Sequence, residues 1–517
     1  VPGAPNQGYG TQPIDGSPSV YEQLLKSSAD FFWRASDGST VFAHLSHDHY
    51  CQGDNIDQNT KGSCEDMANE DNLYLVNKKI ASYIDFNAPS SPTPYIFVGI
   101  GCDFVRPKQC LLDFARNWDN TAYKSGDYKG VYVIVASYED YYDLVMSYYK
   151  SHPSSIPAHG LNAFPYWNGY YASRPALKIL QEKAMRLLQA TEALTFADLN
   201  GKKEITYRML DEALASLTPS THHDFVTGTA VNHVYLGEQI VYMEKAVELT
   251  KRALDFEIDN IIQWLRMPLQ QGEIGAAVFN FLGFSRENST LTFTSPLANV
   301  RSFSVDDGMT RYPVQQIGDF TYATILSEAP SLGWITGKLL TQEPNVAIPL
   351  SIYSSNGDEF ILMNNYLKAT ISRAKNWSIT SLVDLATNKE ILGADGAANL
   401  LFYQDNGNIY RFANEMKDCH WKLDTEAQIE ALPVEKGAVI AGPTLVSVTT
   451  KIVVTFDTVS YTYVKKFSLA ATDKAIKVEV TGSSPAYYSV FTQIALYSPV
   501  TGLQYGTPLH WDTALPV

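Results

Sequence analysis

The spacing of apolar residues changes near Pro268, and this change constrains the fold more than any other feature of the chain. Between residues 173 and 266, apolar side chains recur every three or four positions in three successive stripes. This periodicity predicts three amphipathic helices with short connections, which form a three-helix bundle. Ser173 is the predicted N-cap of the first helix, and Pro175 lies in its first turn. After Pro268 the pattern is strand-like to the end, and about 245 residues of strands and turns favour antiparallel β-sandwiches.

Before the helical region, helices and strands are predicted to alternate. Residues 95–100 and 131–136 are continuous apolar runs typical of buried strands, and helical patterns follow at 108–119 and 138–151. Buried strands separated by helices indicate a parallel sheet in an α/β domain. Two such units are too few for a complete barrel, so the sequence predicts only part of one.

These patterns together predict a multidomain α+β protein with three parts. They are a partial, barrel-like α/β region with an N-terminal arm, then a three-helix bundle, then antiparallel β-sandwich domains. The predicted boundaries are 1–160, 161–268 and 269–517.

The net charge of the chain bears on the kinds of molecule that it can bind. The chain has 517 residues and a net charge of −16, with a sequence pI of about 5.1. This acidity argues against nucleic acid and anionic membrane surfaces as partners. No apolar run reaches the roughly 18 residues that a membrane span needs. Because the first residues contain neither an initiator Met nor a signal peptide, we expect a mature or processed chain.

Cysteine spacing and sequons indicate the cellular compartment. Cys51 and Cys64, and Cys102 and Cys110, are close enough in sequence to form local disulfides, which leaves Cys419 unpaired. Five free thiols are the alternative. Two N-glycosylation sequons, which begin at Asn288 and Asn376, favour the secretory or lysosomal route.

A His-His-Asp sequence lies between the second and third predicted helices. His222, His223 and Asp224 supply imidazole and carboxylate groups, which are natural zinc ligands. Adjacent side chains on a helix diverge by about 100°, so at most one of the two histidines is expected to face a given site. The alternative is a polar turn with capping side chains.

Two segments resemble the α-mannosidases of glycoside hydrolase family 38, of the lysosomal and Golgi type. Residues 165–178 are similar to the family's W-x-G-Y-[FY]-x-S-R-P-x-x-K segment, and residues 222–229 to its H-H-D-A-[IV]-[ST]-G-T segment. Gly101-Cys102-Asp103-Phe104 matches its G-x-D-F segment. The resemblance covers about residues 25–510 and implies hydrolysis of mannose-containing glycans with retention of configuration.

The resemblance also implies roles for particular residues. His223 corresponds to a zinc ligand, and Asp224 to the carboxylate that binds substrate hydroxyls in catalysis. Tyr410 resembles a tyrosine of the β region that reaches into the active site to bind substrate, although its spacing differs by one residue. A tyrosine of the hydrophobic core is the alternative. The implied cofactor is zinc, the implied location is lysosomal or secreted, and a homo-oligomer or hetero-oligomer is expected.

The chain departs from the family pattern in two ways. No convincing copy of the H-x-D zinc segment or of the nucleophile segment is found. His47-Asp48-His49 is the only candidate to replace the missing zinc-ligand segment. The alternative is that these three residues are ordinary polar residues of a loop. The family's acid is also missing, because no Asp or Glu lies between Asp143 and Glu182. His159 is another possible proton donor, with a structural histidine as the alternative.

These departures leave two hypotheses. In one, an N-terminal fragment of the same precursor supplies the missing residues and completes an active enzyme. In the other, the chain belongs to a non-catalytic relative that binds glycans or serves a structural role.

Overall fold

The structure is a computed structural model of the chain. It describes residues 28–35, 37–46, 50–57, 70–108, 110–160, 170, 173–198, 203–265, 267, 269–306, 309–344, 350–354, 357–405, 423–497, 503–507 and 510–514. These residues separate into two compact units. The first contains the described residues from 28 to 160 with 503–507 and 510–514, and the second contains those from 170 to 497.

The first unit combines a small sheet with helices. Its sheet has the order β2-β1-β3, in which β1 pairs antiparallel with β2 and parallel with β3. The strands are β1 (Asp30–Arg34), β2 (Thr40–His44) and β3 (Ala158–His159), and the helices are α1 (Glu70–Asn87), α2 (Leu111–Asn120) and α3 (Tyr138–Ser151). Trp118 and Phe114 of α2 are almost completely buried against Val76 and Ile80 of α1.

Helix α3 begins and ends where the sequence predicts. Ser137 is its N-cap, and the Ser137 side chain accepts a hydrogen bond from the Asp140 amide. The Asp140 carboxylate accepts one from the Ser137 amide in return, which completes a capping box. This arrangement is set by residues within one turn, so the sequence alone predicts it well.

The two buried strands predicted at 95–100 and 131–136 are not formed. Their backbone groups bond elsewhere: the Gly53 amide donates to the Gly99 carbonyl, and the Trp118 indole donates to the Val131 carbonyl. Several of their side chains are exposed, namely Ile100, Tyr132, Ile134 and Val135. An apolar run becomes a buried strand only beside paired strands, and the described residues provide none here.

The second unit begins with the predicted helix bundle. It contains α4 (Pro175–Ala197), α5 (Lys203–Leu217) and α6 (Ile240–Trp264), and a short π-helical turn, Tyr235–Gln239, leads into α6. Leu177, Ala184 and Met243 are completely buried in its core. The N-cap of α4 is Arg174 rather than the predicted Ser173, and Arg174 has a left-handed conformation with φ of 47°. Ser173 instead uses its carbonyl as a hydrogen-bond acceptor for Lys178.

Antiparallel sheets follow the bundle in the second unit. The first has the order β4-β9-β6-β7-β8-β5. Its strands are β4 (Ile274–Asn280), β5 (Arg286–Thr294), β6 (Ser302–Val305), β7 (Arg311–Gly318), β8 (Thr321–Ala329) and β9 (Gly333–Leu340). Tyr322 is completely buried in the core of this sheet and donates through its hydroxyl to the Leu297 carbonyl.

The next two sheets form a sandwich. One has the order β10-β11-β12-β13-β15-β21, with β14 paired to β13, and the other has the order β16-β18-β19-β20, with β17 paired to β18. Phe402 of β15 and Phe467 of β19 share one buried core with Trp377, which lies directly before β13. The strands are β10 (Ser351–Ser354), β11 (Glu359–Met363), β12 (Leu367–Ser372), β13 (Ser378–Asp384), β14 (Lys389–Glu390), β15 (Leu392–Gln404), β16 (Gln428–Ala431), β17 (Val439–Ile440), β18 (Leu445–Phe456), β19 (Val459–Ala470), β20 (Lys477–Thr481) and β21 (Tyr488–Leu496).

A final hairpin pairs β22 (Leu503–Thr507) with β23 (His510–Ala514). The predicted fold class, a multidomain α+β protein with a bundle and antiparallel sandwiches, is therefore confirmed. The boundaries 1–160, 161–268 and 269–517 stay a prediction.

The cysteines pair differently from the two local disulfides that their spacing favours. Cys51 is bonded to Cys102, 51 residues away, with a Cα–Cα distance of 4.7 Å. Cys110 is also disulfide-bonded. The local pairs are wrong because the contact between the loop at 50–53 and the segment at 98–102, through Gly53 and Gly99, brings Cys51 and Cys102 together.

The two sequons differ in exposure. Asn288 is exposed and has φ of 49°, at a position where the β5–β8 register omits one residue of β5. Asn376 is only half-exposed, and the next two residues of its sequon, Trp377 and Ser378, are buried. Among the described residues, no helix is both long enough and apolar enough to cross a membrane.

Candidate functional site

The His-His-Asp residues lie in an irregular turn between α5 and α6. A 3-10 turn, Thr218–Thr221, follows α5 directly. Successive backbone hydrogen bonds then run from the His222 amide to Pro219, from Phe225 to His222, and from Gly228 to Phe225. This is a chain of tight turns and not a helix, so the 100° divergence expected for neighbouring helical side chains does not apply.

Side chains from the neighbouring helices hold the backbone of this turn. Gln181 of α4 donates to the Ser220 hydroxyl at 2.9 Å, and Gln239 donates to the Asp224 carbonyl at 3.2 Å. Within the turn, the Thr227 hydroxyl donates to the His223 carbonyl at 2.6 Å. Phe225 is buried in the bundle core. The main chain of the turn is therefore fixed from both sides.

The end of the turn packs against the start of α4. Gly228 has φ of 78°, and a Cβ at this position would lie 2.7 Å from the Ser173 carbonyl oxygen. Only glycine combines this backbone conformation with such a close approach. Lys178 donates through Nζ to the Ser173 carbonyl at 2.5 Å and to the Thr227 carbonyl at 3.1 Å. Burial, and then the charge of Arg174, lower the pKa of Lys178 to about 8.

Arg174 makes a second link across the same contact. Its guanidinium donates to the Ala230 carbonyl and to Asn232 Oδ1, the latter at 2.8 Å, and lies over the Tyr235 ring at 4.4 Å. Burial lowers the pKa of this guanidinium. These contacts stabilise the unusual left-handed conformation of Arg174, which by itself costs about 1–2 kcal/mol.

The side chains of His223 and Asp224 face outward from this fixed backbone. The side chain of His223 is 84% exposed and that of Asp224 is 56% exposed, with His223 Nε2 3.4 Å from Asp224 Oδ2. The ligand atoms of His222, His223 and Asp224 all lie within 4.8 Å of one another. Zinc with ligands at about 2.0–2.1 Å in a tetrahedron separates them by about 3.4 Å. The His223–Asp224 pair therefore fits a zinc ion.

His222 also approaches the pair, which the sequence did not predict. Its ring stacks on the His223 ring with centroids 4.4 Å apart. However, His222 Nδ1 accepts a hydrogen bond from the Asp224 amide at 3.0 Å. In a neutral imidazole, an Nδ1 that accepts leaves the proton on Nε2, so Nε2 cannot bind a metal in this arrangement. His223 is the better ligand, and His222 supports the turn.

The other candidate site residues from the sequence do not lie in this turn. Tyr410 and His47-Asp48-His49 lie outside the described residues. His159 is on β3, with its ring 5.6 Å from that of Phe31. Its Nε2 atom is buried and has no hydrogen-bond partner among the described residues. In the part of the chain that the structure describes, His222, His223 and Asp224 are the one group of three or more potential metal ligands.

A buried polar cluster in the first unit was not predicted. The Asp30 carboxylate is completely buried and interacts with His44 Nδ1 and the Tyr141 hydroxyl, each at 2.8 Å. Burial, and then the charge of Asp30, raise the pKa of Tyr141. These residues join β1, β2 and α3. Because they are far apart in sequence, no local pattern indicated the cluster.

Comparisons with known proteins agree with the bundle and with the turn. The family model described as the α-mannosidase middle domain matches residues 165–261, which include α4, α5, the turn and most of α6. The chain is 22% identical over 427 residues to the lysosomal α-mannosidase of Dictyostelium discoideum, which covers 71% of this chain. The chain is therefore similar to the family 38 α-mannosidases over its bundle and beyond. It is also 25% identical over 249 residues to α-mannosidase 2 of Drosophila melanogaster, which covers 46% of the chain.

Two solved structures have a fold similar to that of this chain. An α-mannosidase from Enterococcus faecalis V583 has a TM-score of 0.69 at 14% identity, over 95% of this chain and 60% of that one. A family 38 glycosyl hydrolase from Enterococcus faecalis has a TM-score of 0.65 at 12% identity, over 94% and 60%. The chain spans 42% of the length of the lysosomal relative and 20% of the Drosophila one.

Proposed function

We propose that the complete protein is a zinc-dependent, retaining α-mannosidase that releases terminal α-mannosyl residues from glycans. The observation that carries this proposal is the outward-facing His223–Asp224 pair on a turn whose backbone is fixed by α4 and α6. A site that binds a metal and a sugar needs exposed donors on an immobile support. The likeness to α-mannosidases supports the same activity.

Each residue of the pair has a separate role in this proposal. His223 Nε2 would hold the zinc ion, which orients substrate hydroxyls and polarises them when bound. The Asp224 carboxylate accepts a hydrogen bond from a mannose hydroxyl. At 56% exposure, this carboxylate is accessible to a sugar. Asp224 therefore positions the substrate, and the turn holds the backbone of both residues in place.

We further propose that a second segment, from the N-terminal part of the same precursor, completes the site. One histidine and one neighbouring carboxylate fall short of the three or four protein ligands that zinc sites use. A second observation is the set of exposed apolar side chains on the first unit, which includes Ile100, Phe104, Tyr132 and Ile134. Large apolar side chains that are exposed to solvent are available for contact with a further polypeptide segment. The segment would form a hetero-oligomer with this chain and supply the nucleophile.

One observation favours a different function. No Asp or Glu lies between Asp143 and Glu182, where the resemblance places the catalytic acid. A chain that lacks this acid binds mannose-containing glycans without cleaving them. Under this second candidate, His223 and Asp224 bind the sugar but glycosidic bonds remain intact.

Three measurements test these proposals. Anomalous scattering at the zinc edge should show a metal bound to His223, and fully loaded protein without metal there would exclude the zinc site. Denaturing gels of native material should show a second polypeptide of a few hundred residues. The 517-residue chain alone should not hydrolyse p-nitrophenyl α-mannoside, whereas the complete assembly should. A complete, zinc-loaded assembly without turnover would instead identify the glycan-binding relative.

We propose a lysosomal or secreted location. The support is that the Asn288 side chain is exposed, so that it is accessible to N-glycosylation on the secretory route. The exposed Asn288 is the expected acceptor, whereas the buried Trp377 and Ser378 disfavour modification at Asn376 in the folded chain. Endoglycosidase treatment should reduce the mass of natural material, and Asn288→Gln should remove that reduction. A natural mass equal to the bare 57.4 kDa chain would exclude glycosylation.

A further inference from the structure

Lys178 occupies an unusual position relative to the His223–Asp224 turn. Its ammonium donates to carbonyl oxygens on two segments that are far apart in sequence, Ser173 and Thr227. Ser173 precedes α4, and Thr227 is three residues beyond Asp224. The half-buried ammonium has no carboxylate within ion-pair distance among the described residues. Its charge is therefore directed at backbone dipoles.

Two further contacts join the start of α4 to the end of the turn. Gly228 leaves no side chain in the contact, and its Cα faces the Ser173 carbonyl closely. Arg174 donates its hydrogen bonds to Ala230 and Asn232, beyond Thr227. Thr227 in turn supports the His223 carbonyl through its hydroxyl. Lys178 is thus connected to the metal-ligand backbone through one residue, Thr227.

We propose that Lys178 is a positioning residue of the His223–Asp224 turn. Its ammonium fixes Thr227 against the start of α4, and Thr227 fixes His223. A charge-assisted hydrogen bond is about twice as strong as a neutral one, so one ammonium restrains both carbonyls. This inference rests on the proposed zinc site, and it adds a residue on α4 that touches neither metal nor substrate.

The test compares three variants of the protein as it exists, in complex with any bound partner. Lys178→Met removes both hydrogen bonds and keeps the length of the side chain. Lys178→Arg restores donors to the same carbonyls. Lys183→Met is the matched control, because Lys183 is exposed on the same helix. Two readouts are used: amide hydrogen exchange of peptides that cover residues 221–230, and zinc affinity measured by chelator competition.

In Lys178→Met, we expect exchange of this turn to accelerate about tenfold or more, since a lost charged hydrogen bond has roughly that effect. We expect zinc affinity to fall about 10- to 100-fold, as is typical when a residue that orients a metal ligand is lost. Lys178→Arg should recover most of both properties, and Lys183→Met should match the natural protein.

The outcomes separate this inference from the proposed function. Unchanged exchange in Lys178→Met overturns the positioning role. Faster exchange with unchanged zinc affinity also overturns it, because Lys178 would then stabilise the turn without affecting the ligands. If the natural protein binds no zinc, the proposed metal site fails and the positioning of its ligands by Lys178 fails with it. The exchange data alone then report whether Lys178 holds the turn.

Discussion

Asp224 presents its carboxylate to solvent while its backbone is held in place. Its carbonyl accepts a hydrogen bond from Gln239, its amide donates to His222, and its carboxylate lies near His223 Nε2. The side chain thus contributes little to packing. A functional role and a structural role at this residue are therefore separable by experiment.

In the complete protein, Asp224→Asn should lower kcat/KM about 30- to 1000-fold. This is a loss of roughly 2–4 kcal/mol, since a charged hydrogen-bond partner of the substrate is removed. The melting temperature should change little, because exposed polar substitutions usually shift stability by less than about 0.5 kcal/mol. Steady-state kinetics and calorimetry measure the two effects. Preserved activity with early melting would make Asp224 a structural residue.

Lys465 on β19 is a second residue whose contribution can be measured by itself, in this case its effect on the pH dependence of stability. It is completely buried in the sandwich, and its Nζ donates to the Asn376 and Ala398 carbonyls at 2.8 Å and to Trp377 at 3.4 Å. Burial lowers its pKa from 10.5 to about 8. The folded state therefore binds this proton more weakly than the unfolded state.

The sign of the pH dependence follows from this lowered pKa. Below pH 8 the charged lysine costs the fold about 3 kcal/mol, and above pH 10.5 this cost is absent. The free energy of unfolding of the natural protein, relative to Lys465→Met, should rise by about 2 kcal/mol from pH 7 to pH 10. Denaturant unfolding at both values measures it. Lys466→Met on the same strand should show no such rise, and a flat difference for Lys465 would contradict the prediction.

At the scale of elements, the His223–Asp224 turn packs against the start of α4 at Gly228, where there is no room for a side chain. Gly228 has positive φ and approaches the Ser173 carbonyl, whereas Gly237, in the π-helical turn before α6, has open space around it. Both glycines lie within the same helix-to-helix connection. They form a matched pair for testing this contact.

Gly228→Ala should destabilise the second unit by about 2 kcal/mol or more, because the new methyl group meets backbone and the residue is held at positive φ. Gly237→Ala should be neutral or stabilise by up to about 1 kcal/mol, as expected for alanine in a helix. Urea unfolding of both variants measures the two changes in the free energy of unfolding. Equal effects would mean that the turn moves freely away from Ser173.

At the scale of the whole molecule, the two compact units are stabilised by different means. The sandwich of the second unit has a large apolar core around Trp377 and Phe467. The first unit has smaller clusters and the Cys51–Cys102 disulfide. Closing a loop of about 50 residues contributes about 4 kcal/mol in the chain-entropy model.

Replacing both Cys51 and Cys102 with serine should therefore lower the melting temperature of the first unit only. Differential scanning calorimetry should show one transition moving down while the transition of the second unit stays in place. Reducing agent added to the natural protein should reproduce the shift. A single transition that moves as a whole would show instead that the two units unfold cooperatively.

The sequence by itself determined the elements whose causes are local. The Ser137–Asp140 capping box sets the start of α3, and apolar spacing sets the bundle helices and the antiparallel strands after residue 268. The same local information placed His223 and Asp224 in a turn between two helices. These features follow from hydrogen bonds and periodicity within a few residues, which a sequence displays directly.

Only the tertiary structure decided the features that depend on distant partners. Residues 95–100 and 131–136 are apolar enough for strands but have none beside them, and Cys51 pairs with Cys102 because their loops meet in space. His222 joins His223 because the turn is held by Lys178, Arg174 and Gln239 from other elements. Such contacts link residues of different elements, so their energies depend on the assembled fold and leave no periodic trace in the sequence.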